Sequence, residues 1–366
     1  MKILLLGEAS NFNWTLAEGL RALGHTVTVA SNGSGWMNNN RNIDLSRKSK
    51  GLYHSICYIT DILYHLKDFR NYDIVQIKNP IFFDLKPDKN IFIFNYLKRN
   101  NKKIFLEALG TDYFYVKACL NKQIFRYSDF FIGETPRTYP SCQDIIDSWM
   151  GRKLSSANKK IAARCNGIIA CLYEYYISYL PEYKNKLCYI PIPIQTQNYK
   201  LKPNIGIPEK VRFFIGIQHD RSQLKGTDIM YEVLREIQTN YKNECDVNAV
   251  VSVPLEQYTR QMLSSDVLID QLYSYTPATN ALLAMAQGLI TVSGAEPEMY
   301  DLLHEFKNQP IINILPDKND IYKKFEDIIK QKENIPQLAH ASRAFVEKHH
   351  DYIKVAKQYL DFWEKH

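Results

Sequence analysis

Short apolar runs alternate with longer segments of helical periodicity along the whole 366-residue chain. The first unit has an apolar run at residues 2–6, leucines at helical spacing that end at Gly24, and a strand-like alternation of polar and apolar residues at 25–30. Further short apolar runs lie at residues 73–77, 103–107, 167–171, 211–217, 247–253, 267–269, 289–293 and 311–315. This alternation predicts a doubly wound α/β fold with parallel sheets.

The chain is longer than a single hydrophobic core usually organises, so we expect two domains. Residues 187–208 contain four prolines among polar residues, which indicates an extended linker. We predict two facing Rossmann-like domains with a cleft between them, at residues 1–190 and 209–342, joined by a linker at 191–208. Residues 343–366 have a helical pattern whose apolar residues exceed one stripe, so we expect this helix to pack against both domains.

Composition excludes several classes of protein. No apolar run approaches the roughly 20 residues needed to cross a bilayer, and we interpret the apolar N-terminus as a first strand rather than a secretory signal. Seven cysteines without a C-x-x-C pair predict reduced thiols in a cytoplasmic protein and no zinc site. The net charge of +7 is spread along the chain, so we interpret it mainly as solvated surface, and peripheral contact with the inner membrane face stays open.

The absence of several known motifs argues against further classes of enzyme and binding protein. The first loop lacks G-x-G-x-x-G, which argues against a dehydrogenase, and no P-loop or nucleic-acid motif occurs. There is no Asp-x-Asp sequence and no histidine-rich ligand spacing, so we expect no catalytic metal and no bound cofactor.

Residues 273–298 predict a ligand site. They read as a polar loop, the start of a small-residue helix, a buried strand and a turn rich in Gly and Pro. A helix start at the carboxyl edge of a sheet offers free N–H groups to a phosphate. The main chain at Thr276 and Ala278 and the helix start at Thr279 and Asn280 would meet that phosphate.

A second candidate element reads HDRSQLKGTD, at residues 219–228 after the first strand of the second domain. Arg221 and Lys225 stand four residues apart in a strand-to-helix loop, where two cations suit a diphosphate and would stabilise the charge on a departing one. His219 and Asp220 are adjacent, and adjacent side chains rarely face one another, so we do not expect them to form a catalytic relay.

Four segments resemble retaining GT-B glycosyltransferases of family 4, the glycosyl transferases group 1 type: LLAMAQG at 282–288, KGTD at 225–228, the turn GTD at 110–112 and the aromatic final helix. The resemblance implies a cytoplasmic enzyme that moves a sugar, with retained configuration, from a nucleoside diphosphate sugar to a saccharide or lipid-linked acceptor. It also implies a role in bacterial envelope or capsule polysaccharide synthesis. The final helix would cross back to the first domain.

The resemblance, together with the polar character of the loops, assigns roles to residues of this chain. The catalytic residues would be Asp112, Arg221 and Lys225. The donor would be held by Gly7, His219, Gly226, Tyr275, Thr276, Ala278, Thr279, Asn280 and Glu298. The acceptor would be held by Ser10, Asn11, Asn13, Gly110 and Thr111.

One departure from the family pattern keeps other functions open. Tyr275 and Leu283 stand where the family carries two glutamates, one for the transferred sugar and one for the nucleotide ribose. A leucine accepts no hydrogen bond from a ribose, so we expect Leu283 to pack in an apolar environment or against the base of the nucleotide. A non-catalytic protein that binds carbohydrate or a partner remains an alternative. A nucleotide-sugar epimerase, which would draw its acid and base from His219, Asp112 and Glu298, is another alternative. For Asp112 itself, a structural role as an Asx cap is also open.

Overall fold

The structure is a computed structural model that describes residues 1–34, 38–49, 51–203 and 205–366. The first half forms one α/β domain. Its elements in chain order are β1 (Lys2–Leu6), α1 (Phe12–Ala22), β2 (Thr26–Ser31), β3 (Ile43–Asp44), α2 (Leu52–His65), β4 (Ile74–Lys78), α3 (Pro87–Asn100), β5 (Lys103–Ala108), α4 (Tyr113–Cys119), β6 (Phe131–Ile132), β7 (Thr135–Pro136), α5 (Cys142–Met150), α6 (Arg152–Arg164), β8 (Gly167–Ala170), α7 (Tyr173–Tyr183) and β9 (Leu187–Tyr189).

The first domain is built on a seven-stranded parallel sheet with the strand order β3-β2-β1-β4-β5-β8-β9. Ile3 of β1 lies opposite Val27 of β2 on one side and Ile74 of β4 on the other. Helices cover both faces of this sheet, which explains why a central strand such as β1, with the sequence KILLL, is apolar on both faces rather than alternating. A small antiparallel hairpin of β6 and β7 stands apart from the sheet.

The second half forms a similar domain. Its elements in chain order are β10 (Val211–Ile217), α8 (Ser222–Lys225), α9 (Thr227–Asn240), β11 (Cys245–Val251), α10 (Leu255–Leu263), β12 (Val267–Ile269), α11 (Thr279–Ala286), β13 (Ile290–Ser293), α12 (Pro297–Leu303), β14 (Ile312–Asn313), α13 (Lys318–Lys330), α14 (Ile335–His349) and α15 (Tyr352–Lys365). The strands form a parallel sheet in the order β11-β10-β12-β13-β14. The doubly wound α/β fold predicted from the sequence is confirmed.

The end of the chain returns to the first domain, as expected, but as two helices rather than one. The break falls after α14, where Asp351 caps α15 through the N–H groups of Ile353 and Lys354. α15 packs on α1, where an added Cβ at Gly19 would lie 2.3 Å from the carbonyl oxygen of Tyr352. Trp363 is fully buried in the core between α15 and the first sheet.

The proline-containing connection between the sheets is not a free extended segment. Ile190, Ile192 and Ile194 are buried, and Ile194 forms a parallel bridge with Asp351 at the start of α15. The connection therefore shares a core with the final helix. No helix in the described part of the chain is long and apolar enough to cross a membrane.

Candidate functional site

The loop after β10 brings its two candidate cations next to the loop after β12. The carbonyl oxygen of Lys225 accepts a hydrogen bond from the N–H of Leu272, with an N to O distance of 2.9 Å. Gly226 has a φ of 75°, and an added Cβ would lie 2.7 Å from the Cβ of Leu272, so only glycine allows this approach. Arg221 is exposed and Lys225 is half-buried. The sequence-predicted cation loop and donor loop are therefore neighbours at the carboxyl edge of one sheet.

His219 and Asp220 do meet, contrary to the expectation for adjacent residues. The His219 Nδ1 atom lies 3.2 Å from Asp220 Oδ1, but the two side chains are 86% and 98% exposed. Two charges so exposed to water interact weakly, and no surrounding protein would shield a substrate at this position from water. The geometry supports no catalytic relay at this position.

Tyr275 and Thr276 face the first domain and are closed off from solvent, each only 2% exposed. The Glu174 carboxylate at the start of α7 accepts hydrogen bonds from the N–H groups of Tyr275 (2.5 Å) and Thr276 (3.0 Å). Thr276 Oγ1 in turn accepts from the N–H of Tyr173 at 3.1 Å. The expectation that these main-chain N–H groups are free for a phosphate is wrong, because a carboxylate of the first domain already occupies them.

The Tyr275 side chain sits in an aromatic pocket of the first domain. Its ring stacks on Tyr173 at 5.6 Å between centroids and lies 5.0 Å from the ring of Tyr127. Its hydroxyl oxygen accepts a hydrogen bond of 2.6 Å from the N–H of Arg126. An aromatic ring buried this way stabilises contact between the domains. The position where the resemblance implies a sugar-binding carboxylate is therefore held by a tyrosine that joins the two domains.

The start of α11 remains the accessible part of the donor loop. Ala278, Thr279 and Asn280 are half-buried, and no side chain caps the helix. The Asn280 side chain is held by two neighbours: it donates to Asp270 Oδ1 (3.1 Å) and accepts from the Tyr258 hydroxyl (3.0 Å). Leu283 packs on an apolar cluster, as predicted.

Glu298 is engaged in an ion-pair cluster that joins the domains. Arg126 of the first domain contacts Glu298 at 2.5 Å and Glu296 at 2.7 Å. Burial is the largest single effect and raises the pKa of the Glu298 carboxyl, but the hydrogen bond and charge of Arg126 and a backbone hydrogen bond together outweigh it, so the pKa lies below its ordinary value. Glu296 also accepts from the Tyr127 hydroxyl at 2.5 Å. The expected contact of Glu298 with a nucleotide would require Arg126 to move.

Arg137 adds a second contact across the cleft. Its guanidinium lies 3.2 Å from the centroid of the Tyr273 ring and donates to the carbonyl oxygens of Gln223 (2.6 Å) and Leu224 (3.3 Å). The segment from Phe125 to Arg137 therefore touches both the cation loop and the donor loop. It forms the wall of the cleft at this point.

The loop after β1 lines a cavity of about 300 Å³ in the first domain. Gly7, with a φ of 91°, lies beside Lys78, whose Nζ donates to the carbonyl oxygen of Glu8 at 2.8 Å. The Glu8 carboxylate accepts from the N–H groups of Asn13 (3.1 Å) and Trp14 (3.0 Å) and so caps α1. Burial raises the pKa of Glu8 to about 7, against the opposing effect of these N–H donors.

The other residues of this loop differ in exposure. Ser10 is exposed, and Ser10 and Asn11 have φ values of 52° and 65°. Asn13 is buried, and its Nδ2 donates to the carbonyl oxygen of Gly7 at 2.8 Å. Contrary to expectation, this amide is therefore not available to bind the acceptor sugar. Gly110 and Thr111 are half-buried, and the Thr111 carbonyl accepts from Asn79 Nδ2 at 2.9 Å.

The expectation that Asp112 projects into the cleft is wrong. The side chain is 1% exposed and caps α4, accepting from the N–H of Tyr115 (2.9 Å) and from the hydroxyl of Tyr179 (2.5 Å). Burial raises the pKa of this carboxyl to about 6. Both oxygens are engaged inside the first domain, so the geometry favours the cap that the sequence left as an alternative.

Sequence reasoning missed Arg126, Glu174 and Glu8. Glu174 lies 101 residues from Tyr275, and no spacing rule connects them. Glu8 was visible in the first loop as an acidic residue just before a helix, the usual signal for a favourable charge at a helix start. Among the described residues, no group of three or more His, Cys, Asp or Glu is placed to hold a metal ion.

Comparison with solved structures gives a consistent result for the fold. Sucrose-phosphate synthase from Thermosynechococcus elongatus matches with a TM-score of 0.64 and 13% identity, covering 100% of this chain and 98% of that one. The HepE protein of Anabaena in complex with UDP and glucose matches at 0.59 and 12%, covering 98% of each chain. The catalytic domain of starch synthase IV from Arabidopsis thaliana, bound to ADP and acarbose, matches at 0.60 and 10%, covering 100% and 98%.

The fold is GT-B. No model of a protein family and no curated protein matches the sequence. At this level of identity the structural matches establish the architecture of the chain. They do not establish its chemistry, which depends on the residues of its own site.

Proposed function

We propose that the protein is a glycosyltransferase that moves a sugar from a nucleoside diphosphate sugar to a saccharide or lipid-linked acceptor, with retained configuration. The observation that carries this proposal is the contact between the cation loop and the donor loop. The hydrogen bond from Leu272 to Lys225 holds a loop with two cations beside the uncapped start of α11. A GT-B cleft and solved matches described as bound to UDP or ADP support the same assignment.

In the proposed reaction the bond between the anomeric carbon of the sugar and the diphosphate oxygen breaks while an acceptor hydroxyl bonds to the same carbon on the same face. Arg221 and Lys225 stabilise the charge that develops on the departing diphosphate. The acceptor proton passes to that diphosphate. The site needs no metal ion for this role, because the two cations supply the positive charge. We place the process in cytoplasmic synthesis of a bacterial envelope or capsule polysaccharide.

Calorimetric titration with UDP, GDP, ADP, CMP and dTDP tests the donor site. We expect one nucleoside diphosphate to bind, and Arg221→Ala with Lys225→Ala to weaken it by about 3 kcal/mol, roughly 150-fold, since each charged hydrogen bond contributes about 1.5 kcal/mol or more. Arg235→Ala with Lys242→Ala is the matched control, because both residues are exposed cations of the same domain towards the far end of α9. Equal affinity in the two double variants would contradict the placement.

A non-catalytic binding protein is the second candidate, and one observation favours it. The buried Tyr275 and the Glu174 carboxylate occupy the place where the resemblance puts contact with the transferred sugar. Incubation of the protein with the nucleotide sugar whose nucleotide binds best separates the two candidates. Release of nucleoside diphosphate, lost in the Arg221 and Lys225 double variant, supports the transferase. Tight binding without release over many hours supports the binding protein.

A further inference from the structure

Helix α2 presents an apolar face that no other part of the described chain covers. Only Tyr58 and Ile62 of this helix are buried against the first sheet. Its outward side holds six large apolar or aromatic side chains that are 40–81% exposed: Leu52, Tyr53, Ile56, Ile59, Leu63 and Tyr64. These are six of the sixteen exposed large hydrophobic residues of the described chain, gathered on one 14-residue helix. Positions 52, 56, 59 and 63 follow the helical repeat, so they form one stripe.

The segment of the chain that contains this stripe is basic. Residues 47–99 contain ten Lys and Arg against five Asp and no Glu, a net charge of +5 in a chain whose total is +7. Lys67 lies two residues beyond the end of α2, with its Nζ 3.9 Å from the centroid of the Tyr64 ring. The Arg70 side chain is hydrogen-bonded to the hydroxyl of Tyr96, a residue of α3. The same hydroxyl donates to the carbonyl oxygen of Leu66 at 2.9 Å.

Helix α3 extends the same surface. Tyr96 joins it to the end of α2, and the helical repeat places Lys89, Phe92 and Arg99 on the same side of α3 as Tyr96. Phe92 is 61% exposed, and Lys89 and Arg99 are also exposed. An apolar stripe beside exposed cations is the pattern of helices that lie in the interface of an anionic membrane.

We infer that the outward face of α2, with the basic residues around it, docks the protein onto the surface of an anionic lipid bilayer. The charge selects this occupant. A second copy of the chain would bring an equally positive face against this one, which like charges oppose. An anionic headgroup layer matches both the apolar stripe and its basic surroundings.

The docking face adjoins the cavity behind the first loop. Tyr58, one of the two buried residues of α2, also lines that cavity together with Gly7, Glu8 and Lys78. One helix, about 10 Å in diameter, therefore separates the membrane surface from the cavity. If the proposed transferase activity holds, on which this step rests, the acceptor taken into this cavity is a lipid-linked saccharide rather than a free one.

Cosedimentation of the full chain with unilamellar vesicles of phosphatidylcholine, with and without 30 mol% phosphatidylglycerol (about 0.3 mole fraction, a strongly anionic surface), tests the inference. We expect binding to the anionic vesicles that falls at least tenfold on neutral vesicles, and that weakens as salt screens the charge. Ile56→Glu with Leu63→Glu should lower binding at least about 30-fold. Ile207→Glu with Phe306→Glu, two residues of similar exposure in the second half of the chain, should leave binding within about twofold.

A natural probe gives a second readout. Cys57 lies on α2 and is exposed, whereas five of the other cysteines are buried and Cys188 is half-buried. An environment-sensitive fluorophore on Cys57 should brighten and shift to the blue when anionic vesicles are added. Circular dichroism and light scattering test whether each variant is folded and has the oligomeric state of the wild type.

Three results would overturn the inference. They are wild-type protein that does not sediment with anionic vesicles, unchanged binding by the Ile56 and Leu63 double variant, and a wild-type dimer that this variant dissociates while no vesicle binding occurs. Titration with nucleoside diphosphates distinguishes failure of the docking inference from failure of the proposed function. Vesicle binding that survives in a protein without affinity for any nucleoside diphosphate supports the docking face and removes the transferase.

Discussion

Truncation of Glu174 should destabilise the contact between the two domains. The carboxylate is buried, and one of its oxygens accepts both the Tyr275 and the Thr276 N–H groups. A buried N–H group left without a partner costs about 1–3 kcal/mol. For Glu174→Ala we expect a loss of about 2–4 kcal/mol in the free energy of unfolding, since water entering the vacated space can satisfy part of the demand. Glu174→Gln keeps an acceptor oxygen, so it should stay within about 1 kcal/mol of the wild type.

Urea unfolding followed by fluorescence gives the free energies, and hydrogen exchange read by mass spectrometry gives the local effect. Exchange at Tyr275 and Thr276 should accelerate in Glu174→Ala, because opening of this contact no longer breaks two hydrogen bonds. Glu182→Ala on the same helix is the control, since Glu182 makes an exposed ion pair of 2.9 Å with Lys117 and its loss should cost less than about 1 kcal/mol.

The refuting result is a Glu174→Ala protein within about 0.5 kcal/mol of the wild type with unchanged exchange at the two amides. The pH dependence offers an independent check. Burial raises the pKa of Glu174 in the folded protein, so the folded state holds this proton more tightly than the unfolded state. The wild type should therefore lose stability relative to Glu174→Gln as the pH rises from 4.5, the ordinary value for this group, towards the raised value.

Two further predictions concern local geometry. The pKa of Asp112 rises from 3.8 to about 6 in the folded protein, so the wild type should lose about 2 kcal/mol relative to Asp112→Asn between pH 4 and pH 7 in urea unfolding, and equal shifts of both proteins would refute the burial argument. Gly226→Ala should cost about 1–3 kcal/mol in unfolding experiments and weaken diphosphate binding near Lys225, because its Cβ would lie 2.7 Å from that of Leu272. Gly24→Ala, with a φ of 83° and no atom within 4 Å of its Cβ, should cost only about 1 kcal/mol, and equal losses in both variants would contradict the steric argument.

The fold was predictable because buried parallel strands leave a strong local signal. Val211–Ile217 is apolar except at Arg212 because helices cover both faces of its sheet, and that pattern is visible in the sequence of the strand alone. The break before α15 was harder to see. His350 is buried there with its Nδ1 atom 2.9 Å from the carbonyl oxygen of Ile192, a contact across 158 residues. Asp351 before an apolar repeat was the local signal for a new helix.

The candidate site was predictable only in part. Lys225 and Gly226 lie beside the donor loop as expected, because the loops that follow adjacent parallel strands lie at the same edge of the sheet. The closure of Tyr275 by Glu174 and Arg126 depends on contacts between domains, which leave no periodicity in either segment. Asp112 shows the limit of a short motif, since the same turn suits a cap and a catalytic group.

The packing of α15 on α1 has a consequence for synthesis of the protein. Trp363 and Tyr359 complete the core of the first domain, and Tyr359 donates a 2.7 Å hydrogen bond to the buried Glu107. On the ribosome, the first domain would emerge with this surface uncovered and could not reach its final packing until residues 352–365 had been translated. The second domain can form its own sheet earlier in that interval. The half of the protein made first would be the half that finishes folding last, with a chaperone-accessible apolar groove beside α1 during elongation.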